Sequence, residues 1–469
     1  MATDIISAIL IIAALLFGAV EVWSSTLVLL MVFTLGLYWM LRREYLRYDT
    51  GNMVKTLIWL GVGFLFYGVI QVVPVPPALL GLFAPSTKKI YDFYTFEPPG
   101  RWMSISLHPY KTVNEVLKYL AGFVVFLIAA KNFRDTPKLS RAMKTLVIFG
   151  FTLGIFAIVQ KTTWNGNLYW FRELRMGGSP FGPFVNRNHF AGFIGMIIPL
   201  GLGLLFTRKT NEEKILYGFL TVIMAVSLFF SLSRGGIIGF LSGISLFSIL
   251  LAKNKLQTRG VWIVGVFLAV ILSYLLYLGV DPIVQRFYQS DITTNDRLVV
   301  GAATVDAIKD FWLTGSGLGT FVNVFPLYAP LDMGAIFDHA HNDYLEFILE
   351  TGIIGLLMLL VFISLLIYGL SKNGFQGRKG IFRAAVFSSL FTMTVHGMFD
   401  FNLHILSNML LFFTLLGAAA SLIEEDEAAD LLQPAVNNKT VTEAKSNEPA
   451  RSTEQSDPVE QRDPVNEKK

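Results

Sequence analysis

The 469-residue sequence contains no cysteine, so a disulfide framework and a cysteine-based metal site are both excluded. Charge is scarce as well. Only 15% of residues are Asp, Glu, Lys or Arg, whereas a soluble surface calls for roughly a quarter. The net charge of +4 is small and spread over short loops, which argues against nucleic acid as a partner. The opening Met1-Ala-Thr-Asp4 lacks the basic segment of a cleaved signal peptide, so Ile5 to Val20 reads as an uncleaved first span. No internal repeat is present. What is abundant is apolar: 53% hydrophobic residues, 40 Phe, 40 Gly and a mean hydropathy of +0.55. Phe covers lipid-facing area, and small residues let helices approach closely in a bilayer. The fold class that follows is an all-α polytopic membrane protein.

A helix crossing the hydrocarbon core needs about 20 apolar residues, and about 17 at minimum. That ruler gives about twelve spans, near 5–22, 25–41, 56–73, 115–130, 145–160, 190–207, 215–232, 236–252, 261–279, 353–370, 384–399 and 403–422. Lys and Arg concentrate in the loops after the even-numbered spans: Arg42, Arg43, Arg47 and Lys55; Lys131 to Lys144; Arg208 to Lys214; Lys253 to Arg259; Lys372 to Arg383. Cytoplasmic loops retain such charge, so this face and both termini are expected in the cytoplasm. Residues 1–423 then form the transmembrane domain. The polar, proline-punctuated 424–469 cannot bury enough apolar surface to fold and is expected to be a disordered cytoplasmic tail.

The opposite face carries long segments near 74–114, 161–189 and 280–352, and loops of that length are usually functional. In the largest, Leu298, Ala302, Val305, Ile308 and Trp312 have the spacing of an amphipathic helix over 297–312. Thr314-Gly-Ser-Gly-Leu-Gly-Thr320 reads as a flexible turn, and a second helix is expected from near Asp338 into the tenth span. All six histidines (His108, His189, His339, His341, His396 and His404) lie in or beside these segments.

His339, His341 and Asp343 have an HxHxD spacing that could suggest a metal site. Position 344 is Tyr, however, and no second ligand cluster is visible in the chain, so no metal is expected. Asp338 and Asp343 read as residues that cap and solvate the start of the tenth span. His341, followed by Asn342 and Glu346 on a helix descending into the membrane, is placed to take a proton from a hydroxyl, since an unperturbed histidine titrates near ~6.5. Arg187 opens the sixth span beside Asn186, Asn188 and His189, an unusually polar start. Arg234 falls between two apolar spans with almost no loop, where an unpaired charge is costly. Arg297 opens the loop helix. Guanidinium groups bind phosphate oxygens bidentately and stay charged. Three arginines and a histidine are the parts needed to neutralise a diphosphate leaving group without a metal ion and to activate an acceptor hydroxyl. No cofactor is implied.

The chain resembles the O-antigen ligase and polymerase superfamily of bacterial envelope glycosyltransferases over roughly 60–420. The resemblance rests on Ile105 to Thr112, Phe184-Val-Asn-Arg-Asn-His-Phe-Ala191, Ser233-Arg-Gly-Gly236, Arg297 through Gly319, and His339-Ala-His-Asn-Asp-Tyr-Leu-Glu346. His341-Asn342 followed by Gly352 and Gly355 is similar to the ligase signature. The resemblance implies inverting transfer of a glycan from an undecaprenyl-diphosphate carrier on the periplasmic face of the inner membrane. His341 would activate the acceptor, and Arg187, Arg234 and Arg297 would hold the diphosphate. Asn186, Asn188, Asn342, His339 and Glu346 would support them. The acceptor would be lipid A-core for a ligase or a growing glycan for a polymerase. A protein O-oligosaccharyltransferase is a further relative, and a polysaccharide transporter or flippase is the reading from another class. Transporters place ionisable groups near the midplane of matching halves, a pattern absent from this sequence.

Overall fold

Backbone polar groups in a bilayer must be satisfied within the protein, which leaves a chain this apolar to cross as helices. The computed structural model describes residues 1–43, 50–94, 100–174, 178–252, 292–330, 337–372 and 374–423, with three single positions, Gly265, Ala269 and Ser273. The described residues form α1 (Ala2–Leu15), α2 (Val22–Leu41), α3 (Asn52–Val72), α4 (Pro77–Phe83), α5 (Pro85–Tyr94), α6 (Pro109–Asn132), α7 (Thr136–Thr162), α8 (Arg187–Thr207), α9 (Asn211–Phe230), α10 (Arg234–Ala252), α11 (Ile292–Asp310), α12 (Phe321–Val324), α13 (Asp343–Lys372), α14 (Gly377–His396) and α15 (Leu406–Ile423). Nine of these, α2, α3, α6 to α10, α13 and α15, are long and apolar enough to cross a membrane. The chain is an all-helical polytopic membrane protein. All but those three positions of the expected span at 261–279, and the whole tail 424–469, lie outside the described residues.

The first span is shorter than expected. α1 stops at Leu15, and the chain turns through Gly18 at φ +75°. A side chain at Gly18 would meet the Phe184 ring at 2.9 Å, so the break is where that ring seats. α8 is the central helix and is buried almost throughout. α10 and α14 approach most closely through Gly239 and Gly243. A Cβ at Gly239 would lie 2.7 Å from the Thr392 carbonyl, and one at Gly243 would lie 3.1 Å from the Ser388 carbonyl. This small-residue packing lets two backbones meet where lipid supplies no hydrophobic drive.

α13 is kinked. Gly352 is left-handed (φ +61°) and interrupts it one-third of the way along. The break takes the carbonyls of residues 349–351 out of the regular i to i+4 pattern, in a segment buried from solvent. The segment 314–320 fills the gap. Ser316 N donates to Leu349 O (3.0 Å) and Gly317 N to Glu350 O (3.1 Å). Gln71 Nε2 donates to Glu350 O (2.8 Å) and Thr314 O (3.0 Å), and its Oε1 accepts from Leu318 N (3.1 Å). The Tyr67 hydroxyl lies 2.6 Å from Thr314 O and 3.0 Å from Thr351 O. Thr112 Oγ1 donates to Leu318 O at 2.7 Å. The glycine-rich stretch is therefore a buried plug rather than the flexible turn expected from its composition. Gly315, Gly317 and Gly319 use positive φ to thread it between α3, α6 and α13.

α11 forms as expected but buries a different face. Val300, Ala303, Thr304, Ala307 and Phe311 point inward with Phe321, Val324, Phe325 and Leu349, while Leu298 (71% exposed) and Trp312 (57%) face out. Both faces of the helix carry apolar residues, so spacing alone selected the wrong one. The second helix starts at Asp343, five residues later than expected.

Gly315→Ala is expected to lower the thermal midpoint of the purified protein sharply, because its Cβ would overlap the Glu350 backbone. Gly374→Ala, at φ +67° with nothing within 4 Å, should cost only the ~1–2 kcal/mol of a left-handed residue. Equal midpoints for the two variants would show that the plug is not a structural element.

Candidate functional site

The site is built around the turn 397–405 that joins α14 to α15, and the start of α13 fixes that turn. Asn342 caps α13, its Oδ1 accepting from Tyr344 N (3.0 Å) and Leu345 N (3.1 Å). Its Nδ2 donates to Met398 O (3.1 Å). Asp343 N donates to Gly397 O (2.8 Å), and the Asp343 carboxylate accepts from Leu403 N at 3.3 Å. The Tyr344 hydroxyl donates to Thr394 O (2.6 Å). Three consecutive residues thus clamp the turn. Asp343 is buried within this clamp, so it does not solvate the helix start as expected.

His341 sits at the head of the clamp with φ +50°, a conformation that residues other than glycine seldom adopt. Such an outlier marks a position that the surroundings over-determine. Its Nδ1 lies 3.2 Å from Asp400 Oδ1, with the His341 side chain 19% exposed and Asp400 only 1%. Arg297 Nη1 donates to Phe399 O (3.3 Å), next to Asp400 in the chain. Burial alone would raise the Asp400 carboxyl. The hydrogen bond to His341 and the fields of His189, His341 and Arg297 instead hold it well below the usual carboxylate range. Asp400 therefore stands as an anion able to orient the imidazole. The sequence reading missed it. Its one signal was that it is the single carboxylate between Glu350 and Glu424.

Phe401 is the hub of the imidazoles. Its ring stacks on His339 (centroids 4.2 Å apart, 18° between planes) and meets His341 and His189 edge-on at 5.0 Å. His339 Nδ1 and Glu346 Oε1 are 2.7 Å apart, and Glu346 Oε2 accepts from Ala340 N at 2.9 Å. His404 Nε2 lies 3.5 Å from Glu346 Oε1. Burial lowers the His404 pKa against the pull of Glu346. For His339 burial also disfavours the cation, but the charge and hydrogen bond of Glu346 prevail and raise its pKa above 6.5. The ligand atoms of His339, Glu346 and His404 lie within 4.8 Å of one another. These three residues form a donor set suited to a divalent cation, which corrects the expectation that no second ligand cluster exists. Glu346 is hydrogen-bonded to His339 and to Ala340 N, and His404 stands at ion-pair distance from it.

The other arginines reach the turn through their neighbours. Gly235, immediately after Arg234, packs on it: a Cβ there would lie 2.9 Å from both Phe399 Cβ and His396 Cδ2. The α9–α10 turn leading to Arg234 contains Leu232 at φ +54°. Arg187 lines a cavity of about 290 Å³ with Lys161, Trp164, Ser179, Ser231 and Leu232, and among the described residues no carboxylate lines it. Asn186 caps α8, its Oδ1 accepting from Asn188 N at 2.9 Å, and the Asn188 side chain is half-buried in the first turn. The structure thus joins His341 and Arg297 on one turn, brings Arg234 beside it, and sets Arg187 in the adjoining cavity.

Together these features define a polytopic membrane protein with a histidine, carboxylate and arginine site at one end of its helix bundle. Residues 219–360 match the family model described as O-Antigen ligase, which supports a likeness to the O-antigen ligase-like superfamily over that segment. No curated protein matches it. The matched segment holds Arg234, Arg297, His339, His341 and Glu346, while Arg187 and Asp400 lie outside it. The family implies a ligase- or polymerase-like glycosyltransferase working on glycan and lipid-linked substrates among membrane lipids.

Because Glu346 raises the His339 pKa, the stability from this pair is full below pH 6.5 and is lost as pH rises through the raised value. Thermal midpoints of wild type and Glu346→Gln should differ most below pH 6.5 and converge above it. A gap that does not change with pH would show that the pair is not ionic.

Proposed function

We propose that the chain transfers a glycan from an undecaprenyl-diphosphate carrier to an acceptor hydroxyl by an inverting, metal-independent, O-antigen ligase-like reaction on the periplasmic face of the bacterial inner membrane. The observation that carries this reading is that His341, Asp400 and Arg297 meet at one turn. With Nδ1–H directed to the Asp400 anion, the His341 Nε2 is the basic nitrogen. It takes the proton of the acceptor hydroxyl as the acceptor oxygen attacks the anomeric carbon. The bond from that carbon to the diphosphate oxygen breaks, and the diphosphate leaves on its lipid with the electron pair. Arg297, Arg234 and Arg187 neutralise the charge that grows on the leaving group. Guanidinium charge supplies here what a divalent cation supplies elsewhere. His339 and Glu346 set the backbone from which His341 projects. The positive charge of the loops after the even-numbered spans supports cytoplasmic termini and an external position for this end of the bundle.

General-base catalysis is worth about 10²–10⁴-fold. His341→Ala should therefore reduce transfer at least hundredfold, and Asp400→Asn by a smaller factor, with both proteins inserted normally. Arg297→Ala should abolish transfer. The measurement is a glycan profile of envelope lipids and exopolysaccharide from cells lacking the protein and complemented with each variant. Long glycan retained on its carrier beside bare lipid A-core identifies a ligase, and single repeat units in place of chains identify a polymerase. Normal complementation by His341→Ala removes it from the chemistry.

A second test concerns metal. Chelator-treated, purified protein should transfer at the untreated rate. Loss of transfer that added zinc restores would instead assign His339, Glu346 and His404 to a required cation.

A further inference from the structure

The turn that orients His341 also holds buried polar atoms without a protein partner. Both ring nitrogens of His396 are among them, with Nε2 of His189, Oδ2 of Asp400 and Nδ2 of Asn402. His396 is the most exceptional. It is 1% exposed, and neither nitrogen is bonded. Buried polar groups are nearly always paired, and an unmade bond carries a desolvation penalty, so such a group calls for an unseen partner.

The surroundings of His396 indicate the chemistry of that partner. A Cβ at Gly235 would lie 3.3 Å from His396 Nε2, so this edge of the ring faces the first turn of α10, directly after Arg234. The charges that act on the ring are Asp400 and Arg297. One edge of the imidazole thus faces the N-terminus of a 19-residue helix, and the arginine of α11 bonds the Phe399 carbonyl three residues on in the chain. A helix N-terminus favours anions. Two guanidinium-bearing elements and a neutral imidazole N–H converge there, and an imidazole supplies a donor without adding repulsion between fixed cations.

We propose that His396 donates a hydrogen bond to a phosphate oxygen of the lipid diphosphate, and so completes an anion site with Arg234, Arg297 and the start of α10. This rests on the proposed diphosphate donor. The residue acts in binding and in no proton step. A side chain at Gly235 would crowd this edge of the ring.

The test is binding to purified full-length protein in detergent, using farnesyl diphosphate, farnesyl monophosphate and farnesol as probes. The variants are His396→Phe, which keeps the ring and loses both nitrogens, Arg297→Ala and His341→Ala. Wild type should bind the diphosphate in preference to farnesol. His396→Phe should weaken diphosphate binding about tenfold, the worth of one hydrogen bond to a charged group, and leave farnesol binding unchanged. His341→Ala should bind the diphosphate like wild type. If Arg297→Ala loses the diphosphate and His396→Phe retains it, the role of His396 is overturned while the donor reading stands. If His396→Phe weakens all three probes alike, the ring serves packing only and the inference fails. A wild type that does not prefer the diphosphate overturns both the inference and the donor reading. His396→Gln, which can restore one donor, should recover part of the diphosphate preference, and no recovery with retained folding would also count against the proposal.

Discussion

Inside a bilayer a peptide carbonyl without a partner costs several kcal/mol, and the break at Gly352 takes the carbonyls of residues 349–351 out of the helical ladder. The arrangement of the site follows from how they are paired. They are met by Ser316, Gly317, Gln71 and Tyr67, which ties the segment before α12 to α3 and α13. That tie holds the first two turns of α13 at a set angle. From there Asn342, Asp343 and Tyr344 reach the turn between α14 and α15. A glycine at the break in α13 therefore governs where a histidine eleven residues earlier is held.

The same glycines are differently legible in the sequence. Gly352 and Gly355 stand out by their spacing from His341, but their spacing says nothing of a broken helix with freed carbonyls. Gly315, Gly317 and Gly319 look like freedom, because glycine permits many conformations. The structure uses that permission once, to place a backbone where no side chain fits. Composition reports what a segment can do, and only its neighbours determine what it does.

Long apolar spans were readable because lipid imposes one requirement on every residue of a window. His341, Arg297 and Arg234 were readable because charge near a membrane is conspicuous. Asp400 was not, since a single carboxylate in a short connection looks like an ordinary loop residue until His341 is seen beside it. The face of α11 could not be chosen from spacing, because Leu298 and Val305 mark one stripe while Val300, Ala307 and Phe311 mark another. Only the presence of Phe321 and Phe325 against the second stripe decides between them. His404 and Glu346 come together from two distant parts of the chain, a pairing that no local pattern carries.

The left-handed backbone at His341 has a consequence for how a histidine is aimed. A side chain on an ordinary helix points through its rotamers, and holding one of them against its alternatives reduces entropy each time the surroundings loosen. Here the direction is set further back, by a φ of +50° fixed between the Glu346 bond to Ala340 N and the Asn342 cap. The ordering cost falls on folding, once, and not on each encounter with a substrate. The ring is held already oriented, and its precision is a property of the main chain.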